Sequence, residues 1–144
     1  MITYVDTSVL LKLLVDDERS TDAAQRLWLE SDFVVCAEIG YAEARAALAA
    51  ARRSGRLDTD GLSIAKAGLA ALWAQLDLVP VTTALILVAG DLAEAEGLRG
   101  YDAVHLAAAL AAQATVVATA DTQLLEAARR RQIDVSNPVE PRDA

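Results

Sequence analysis

The stretch Ile2-Thr3-Tyr4-Val5-Asp6-Thr7-Ser8-Val9-Leu10-Leu11 decides the fold. Ile2 to Val5 has the β-branched, apolar make-up and the length of a fully buried strand, and Ser8 to Val15 reads as the helix after it. Asp6 therefore emerges at the carboxyl end of a buried strand, where open α/β sheets place their ligands. Working outward, Phe33 to Cys36, Leu78 to Val81 and Thr115 to Ala118 are runs of the same kind, and Ile133 to Val135 is a candidate edge strand. Helical patterns separate them: Thr21 to Glu30, Ile39 to Ser54 closed by Gly55, Asp60 to Gln75, Ala84 to Glu96 closed by Gly97, Asp102 to Gln113, and Thr122 to Gln132. The 31 alanines against 3 prolines favour helix over most of the length. Strands alternating with helices predict a layered α/β fold with a mostly parallel sheet, because parallel neighbours need crossover helices to return the chain.

Composition narrows the function. A chain of 144 residues, 54% hydrophobic and 24% charged, is expected to bury one core. No apolar run reaches the roughly 18 to 20 residues of a membrane span. The single cysteine, Cys36, has no internal disulfide partner, and the first residues lack a secretory pattern, so a cytoplasmic setting is expected. A net charge of −8 argues against wrapping nucleic acid by charge alone.

Most acids have ordinary places. Asp16, Asp17 and Glu18 read as a solvated turn, Asp58 and Asp60 as a helix start, and Glu94 and Glu96 as an exposed helix end. Four stand apart. Asp6 and Asp121 each follow a strand, and right-handed crossovers keep those strand ends on one edge of the sheet. Glu43, on the helix Ile39-Gly40-Tyr41-Ala42-Glu43-Ala44-Arg45-Ala46-Ala47-Leu48, has no cation three or four positions away. Asp102 opens the apolar helix Asp102-Ala103-Val104-His105-Leu106-Ala107-Ala108-Ala109-Leu110, with Arg99 and His105 as its only basic neighbours in sequence. Taken singly, Asp6, Asp102 and Asp121 are good helix caps and Glu43 could face water. Four converging acids would repel one another, and burial would raise their pKa values unless a cation entered.

Tyr4-Val5-Asp6-Thr7-Ser8-Val9-Leu10-Leu11, Glu43 within Ala42-Glu43-Ala44-Arg45, Tyr101-Asp102-Ala103-Val104-His105-Leu106-Ala107 and Ala118-Thr119-Ala120-Asp121 resemble the PIN-domain pattern, closest to VapC-type toxins of bacterial toxin–antitoxin pairs. The resemblance covers nearly the whole chain and keeps the four acids in the family's order. It implies a three-layer α/β/α sandwich around a four- or five-stranded sheet, with a nuclease domain over residues 1–136 and a tail over 137–144. It further implies a Mg²⁺- or Mn²⁺-dependent endoribonuclease, usually a homodimer, inhibited by a VapB-type antitoxin.

The chemistry of the residues agrees. Hard cations favour oxygen ligands, and bound Mg²⁺ or Mn²⁺ can lower the pKa of a water and stabilise the leaving oxygen of a phosphodiester. Asp6, Asp102 and Asp121 are candidate ligands and Glu43 a ligand or the base orienting the attacking water. Thr7, Ser8 and Thr119 carry hydroxyls that could bond a carboxylate or a phosphate, or serve as caps. His105, the lone histidine, reads as a packed imidazole that could orient Asp102, and Cys36 reads as core. Arg52, Arg53 and Arg56, and Arg129 to Arg131, could meet RNA phosphates or compensate helix dipoles, while Lys12, Arg45 and Arg99 stand isolated. Surplus apolar surface near Val9 to Val15, Trp28 and Trp73 would suit a dimer partner or an antitoxin segment. The rival readings are a phosphatase with Asp6 as nucleophile, which lacks a second Asp where Ser8 stands, and a noncatalytic interaction protein.

Overall fold

The computed structural model describes residues 1–15 and 18–138, without the side chains of residues 18–20. The turn read at Asp16 and Asp17 and the tail from Val139 onward lie outside the described residues. Five strands, β1 (Ile2–Val5), β2 (Phe33–Ala37), β3 (Asp77–Val79), β4 (Val116–Ala118) and β5 (Asp134–Ser136), form one parallel sheet in the order β3-β2-β1-β4-β5. Helices α1 (Thr7–Leu14) and α2 (Glu18–Glu30) join β1 to β2, and α3 (Ile39–Arg53) and α4 (Thr59–Trp73) join β2 to β3. Helices α5 (Thr83–Glu96) and α6 (Gly100–Ala111) join β3 to β4, and α7 (Thr122–Arg130) joins β4 to β5.

Alternation along the strands sorts side chains onto two faces. Tyr4, Val35, Ala37 and Val117 pack with α5, α6 and α7, whereas Val5, Val34, Cys36 and Ala118 pack with α1, Ala24 of α2 and Leu76. A third cluster ties α1 to the α3–α4 pair through Ala44, Leu48, Ala65 and Leu69. Helices thus cover both faces of the sheet, as a three-layer sandwich requires. At Gly40 of α3 a Cβ would stand 2.6 Å from the Cys36 Sγ of β2, so a larger residue there would force one of the two to move.

The element boundaries differ from expectation in instructive places. β3 covers Asp77–Val79 rather than Leu78 to Val81, because Pro80 has no N–H to give the ladder. Thr115 lies before β4, although its N–H donates to Ile2 O at 2.8 Å and its Oγ1 accepts from Ile2 N at 2.9 Å. Glu18 begins α2 rather than closing a turn. Helix α6 starts at Gly100, which places Asp102 inside the first turn instead of at its opening.

Chain order and sheet order together locate the site. From β1 the sheet extends through β2 to β3 on one side and through β4 to β5 on the other. The crossover after β1 runs on the α1–α2 face, and the one after β4 runs on the opposite face. The carboxyl ends of β1 and β4 therefore flank a topological switch point, where the diverging connections leave a crevice.

Candidate active site

Asp6 leaves β1 in register with the end of β4: Val5 pairs with Ala118, and Asp6 N donates to Ala118 O at 3.3 Å. Its extended backbone caps α1, with Oδ1 accepting from Ser8 N at 3.1 Å and from Ser8 Oγ at 2.5 Å. Oδ2 accepts from Thr119 Oγ1 at 2.5 Å. Asp6 is thus a cap and more than a cap, since its second oxygen is held by the neighbouring strand. Burial leaves it 6% exposed and pushes its carboxyl above the ordinary range, against the lowering pull of Ser8, Thr119 and His105. Ala120 N donates to Ser8 Oγ at 2.9 Å, which stitches the two strand ends together once more.

Asp121 repeats the pattern one strand away. Its Oδ1 caps α7, accepting from Gln123 N at 2.9 Å and Leu124 N at 3.1 Å, and its own N–H donates to Thr119 Oγ1. Its Oδ2 accepts from an Arg99 guanidinium nitrogen at 2.8 Å, and Nε of the same arginine donates to Asp102 Oδ2 at 3.0 Å. Arg99, expected to be isolated, is therefore the cation that joins two of the four acids. Asp102 is 3% exposed, and burial raises its carboxyl while Arg99 lowers it and the charge of Asp121 raises it again.

Glu43 projects from α3, which starts two residues beyond β2. Its Oε1 accepts from Thr7 Oγ1 at 3.1 Å and lies 2.6 Å from Nε2 of His105. Burial would raise its carboxyl, but the bond and charge of His105 with the bond from Thr7 outweigh it, and the net shift is downward. His105 thus turns to Glu43, not to Asp102 as its spacing suggested: one helical turn separates the two residues on α6, but the imidazole points across to α3. Its Nδ1 meets Tyr4 Oη at 2.6 Å.

Two runs of contacts form a network here, one from Asp6 through Thr119, Asp121 and Arg99 to Asp102, the other from Thr7 through Glu43 and His105 to Tyr4; α6 carries both Asp102 and His105, and Thr7 follows Asp6 in the chain. These runs hold all four sequence-selected acids with Thr7 and Thr119, and Ser8 joins them through its bond to Asp6. Among the described residues, no three His, Cys, Asp or Glu side chains stand close enough together to hold one ion as placed. The donor chemistry nonetheless fits a hard divalent ion. Every buried side-chain nitrogen or oxygen among the described residues has a partner, so Glu43 Oε2 and Asp102 Oδ1, which accept no hydrogen bond from the described residues, are accessible to solvent. Cys36 offers no competing thiolate, since burial pushes its pKa far up, and both nitrogens of His105 are committed.

The profile of the PIN domain matches residues 3–130. Ribonuclease VapC45 of Mycobacterium tuberculosis (strain CDC 1551 / Oshkosh) is 41% identical over 110 residues, 76% of each chain. The chain belongs to the PIN-domain family, among the VapC ribonucleases. In fold it is similar to FitAcB of Neisseria gonorrhoeae, with a TM-score of 0.71 at 22% identity over 96% of this chain and 98% of that one. It is also similar to a toxin–antitoxin complex from Klebsiella pneumoniae, with a TM-score of 0.67 at 16% identity over 96% and 99%. The PIN-like α/β sandwich expected from the sequence holds, with five parallel strands.

Within this PIN domain several other arginines pair outside this network. Arg130 and Arg131 donate through Nε to Glu96 at 2.8 and 3.0 Å, and Arg129 pairs with Glu126 at 2.9 Å. Glu96 is accordingly not a merely solvated acid. Arg45 bonds Tyr41 Oη at 2.8 Å and stacks on its ring, and Arg52 bonds Thr59. Sequence reading missed two contributors. Arg99 had a local signal in its three-residue spacing from Asp102, but its bond to Asp121 joins distant segments. Tyr4 had a chemical one, because a phenol in a buried strand needs a partner for its hydroxyl.

Proposed function

We propose that this VapC-type PIN domain is a Mg²⁺- or Mn²⁺-dependent endoribonuclease toxin, acting in the cytoplasm and restrained by a cognate VapB-type antitoxin. The observation that carries this is the network: four acids, two from strand ends and two from helices α3 and α6, are held near the switch point of the sheet by hydroxyls, one arginine and one histidine. Asp6, Asp102, Asp121 and Glu43 would hold the metal, which when bound supplies charge to activate water and to stabilise the departing oxygen. The protein's own part is to fix the acids. Thr119 and Ser8 hold Asp6, Arg99 joins Asp102 to Asp121, and Thr7 with His105 holds one oxygen of Glu43, leaving the other to accept a proton from water. The two hydroxyl bonds at 2.5 Å fix the Asp6 carboxylate, and its Oδ2, bonded by Thr119, keeps a lone pair for the metal.

An apolar cleft of about 380 Å³ between α1, α2 and α4, lined by Leu13, Leu14, Trp28, Leu29 and Leu72 among others, has the character needed for an amphipathic antitoxin segment. In this reading the protein acts as a homodimer, with a nuclease unit over residues 1–136 and a tail after it. No helix among the described residues is long and apolar enough to cross a membrane.

The test is to incubate purified protein with RNA from the cell in which it is expressed, with Mn²⁺ and with chelator, and to sequence the 5′ ends. Metal-dependent cuts leaving 5′-phosphates support the proposal. Cutting that survives chelation, or persists when Asp6, Glu43, Asp102 and Asp121 are each replaced by their amides in folded protein, rejects it. Failure to bind Mn²⁺ and to cut any RNA would favour a noncatalytic protein.

A further inference from the structure

We propose that His105 is a positioning residue for Glu43, with its tautomer set by Tyr4; this rests on Glu43 belonging to the RNA-cleaving site. Tyr4 Oη lies 3.1 Å from Ala37 N and 2.6 Å from His105 Nδ1, and His105 Nε2 lies 2.6 Å from Glu43 Oε1. A backbone N–H can only donate, so the phenol oxygen accepts from Ala37. The phenolic proton then needs an acceptor of its own, for Tyr4 is fully buried, and Nδ1 is within reach. Nδ1 is therefore the bare nitrogen, and Nε2 carries the proton that it donates to Glu43. The other tautomer would leave the phenolic proton only the weak acceptor Cys36 Sγ and set a nitrogen lone pair against a carboxylate oxygen.

This relay solves a local problem. Glu43 rises from α3 among Ala42, Ala44, Ala46 and Ala47, whose side chains are too short to hold it. A glutamate so placed would sample several rotamers and lose entropy on being used. Thr7 and His105 grip the same oxygen, Oε1, and so aim Oε2. Their grip is rigid because His105 is itself held, 2% exposed on a helix buried from Asp102 to Ala109 and resting edge-on against Tyr4 with ring centroids 5.8 Å apart. Packing alone would be served by leucine.

Three variants separate positioning from packing. In His105→Gln the amide nitrogen reaches the place of Nε2 and keeps a donor for Glu43, in His105→Asn the amide reaches only the place of Nδ1, and His105→Leu has neither. With a randomised RNA pool and Mn²⁺, kcat should fall about 10- to 100-fold in the Asn and Leu variants with KM little changed, and the Gln variant should restore most of it. Equal rates for Asn and Gln, or Gln the slower, overturn the proposal. The chain has 1 histidine, so the long-range ¹H–¹⁵N spectrum of the wild type reports this ring alone. A bare Nδ1 with a protonated Nε2 is expected; the reverse, or protons on both, overturns it. Should the Asn and Leu variants not fold, Tyr4→Phe keeps the ring in the core and removes the proton on which Nδ1 depends, and an unchanged kcat would overturn the proposal equally. A wild type that cuts no RNA, or a Glu43→Gln protein as fast as wild type, would instead refute the nuclease role of Glu43, while the spectrum still judges the relay.

Discussion

Asp6 and Asp58 occupy matching stations at two ends of the molecule, the first where β1 enters α1 and the second in the exposed turn from α3 to α4. Their backbones are almost superposable, with φ −94° and ψ −178° for Asp6 and φ −85° and ψ −178° for Asp58. Each side chain accepts a backbone N–H of the helix it opens, Ser8 N for Asp6 and Gly61 N for Asp58. Beyond that bond they diverge. Asp58 stands in solvent with its one described bond, whereas Asp6 is buried against a neighbouring strand and carries a second oxygen gripped by Thr119. Capping is a local property that any suitable Asp supplies. Becoming a candidate site residue requires a second, nonlocal constraint that takes the charge out of water and aims what remains.

The widest gap between the two aspartates should appear in catalysis. Asp6→Asn is expected to lower the RNA cleavage rate by about 10²-fold or more, as loss of a metal-binding or proton-handling carboxylate does, while Asp58→Asn cleaves at the wild-type rate. Initial rates on one mapped substrate decide it, and equal losses would erase the distinction. Next comes Thr119→Val, which leaves Asp6 Oδ2 and Asp121 N without the hydroxyl that now serves both. It should cost about 1–3 kcal/mol in urea unfolding, more than Thr82→Val at the ordinary cap of α5, where about 1 kcal/mol is expected. Asp58→Ala should cost about 1 kcal/mol, with no effect on cleavage.

The smallest effect sharpens the comparison through pH. Asp6 and Asp102 have folded pKa values raised above the ordinary range by burial. A raised pKa contributes stability that is complete below the unfolded value and is lost as pH rises through the folded one. Metal-free protein should therefore gain stability as pH falls from neutral towards the ordinary carboxylate range. Glu43, whose pKa is lowered, contributes the opposite trend only below its ordinary value. Thermal melts in chelator should show this gain in the wild type and in Asp58→Asn, and a flatter profile in Asp6→Asn. Identical profiles for all three would mean that Asp6 is as well hydrated as Asp58.

Strands β1 and β2 and the seven helices could be read from the chain because their apolar periodicity is local, as could the placing of Asp6 and Asp121 just beyond strand ends. Pro80 and Gly100 shifted two boundaries for reasons of backbone chemistry that pattern alone weighs poorly. The partner of His105 could not be read at all. Its spacing pointed along α6 to Asp102, but the ring's partners lie on β1 and α3, segments 101 and 62 residues away that only the tertiary fold brings to it. Arg99 was half legible, visible to Asp102 across three residues and invisible to Asp121 across 22.

Sequence alone determined the layered α/β class, the four acids that need explaining and the absence of a second histidine, because these follow from residue identity and short-range spacing. Tertiary structure alone decided which oxygen of each acid is spent on a cap and which is turned to its neighbour. It also decided that one arginine spans two acids and that a buried tyrosine sits behind the histidine. Hydrogen bonds are directional and reach about 3 Å, so their partners are chosen only when strand register and helix docking have brought distant segments within that distance.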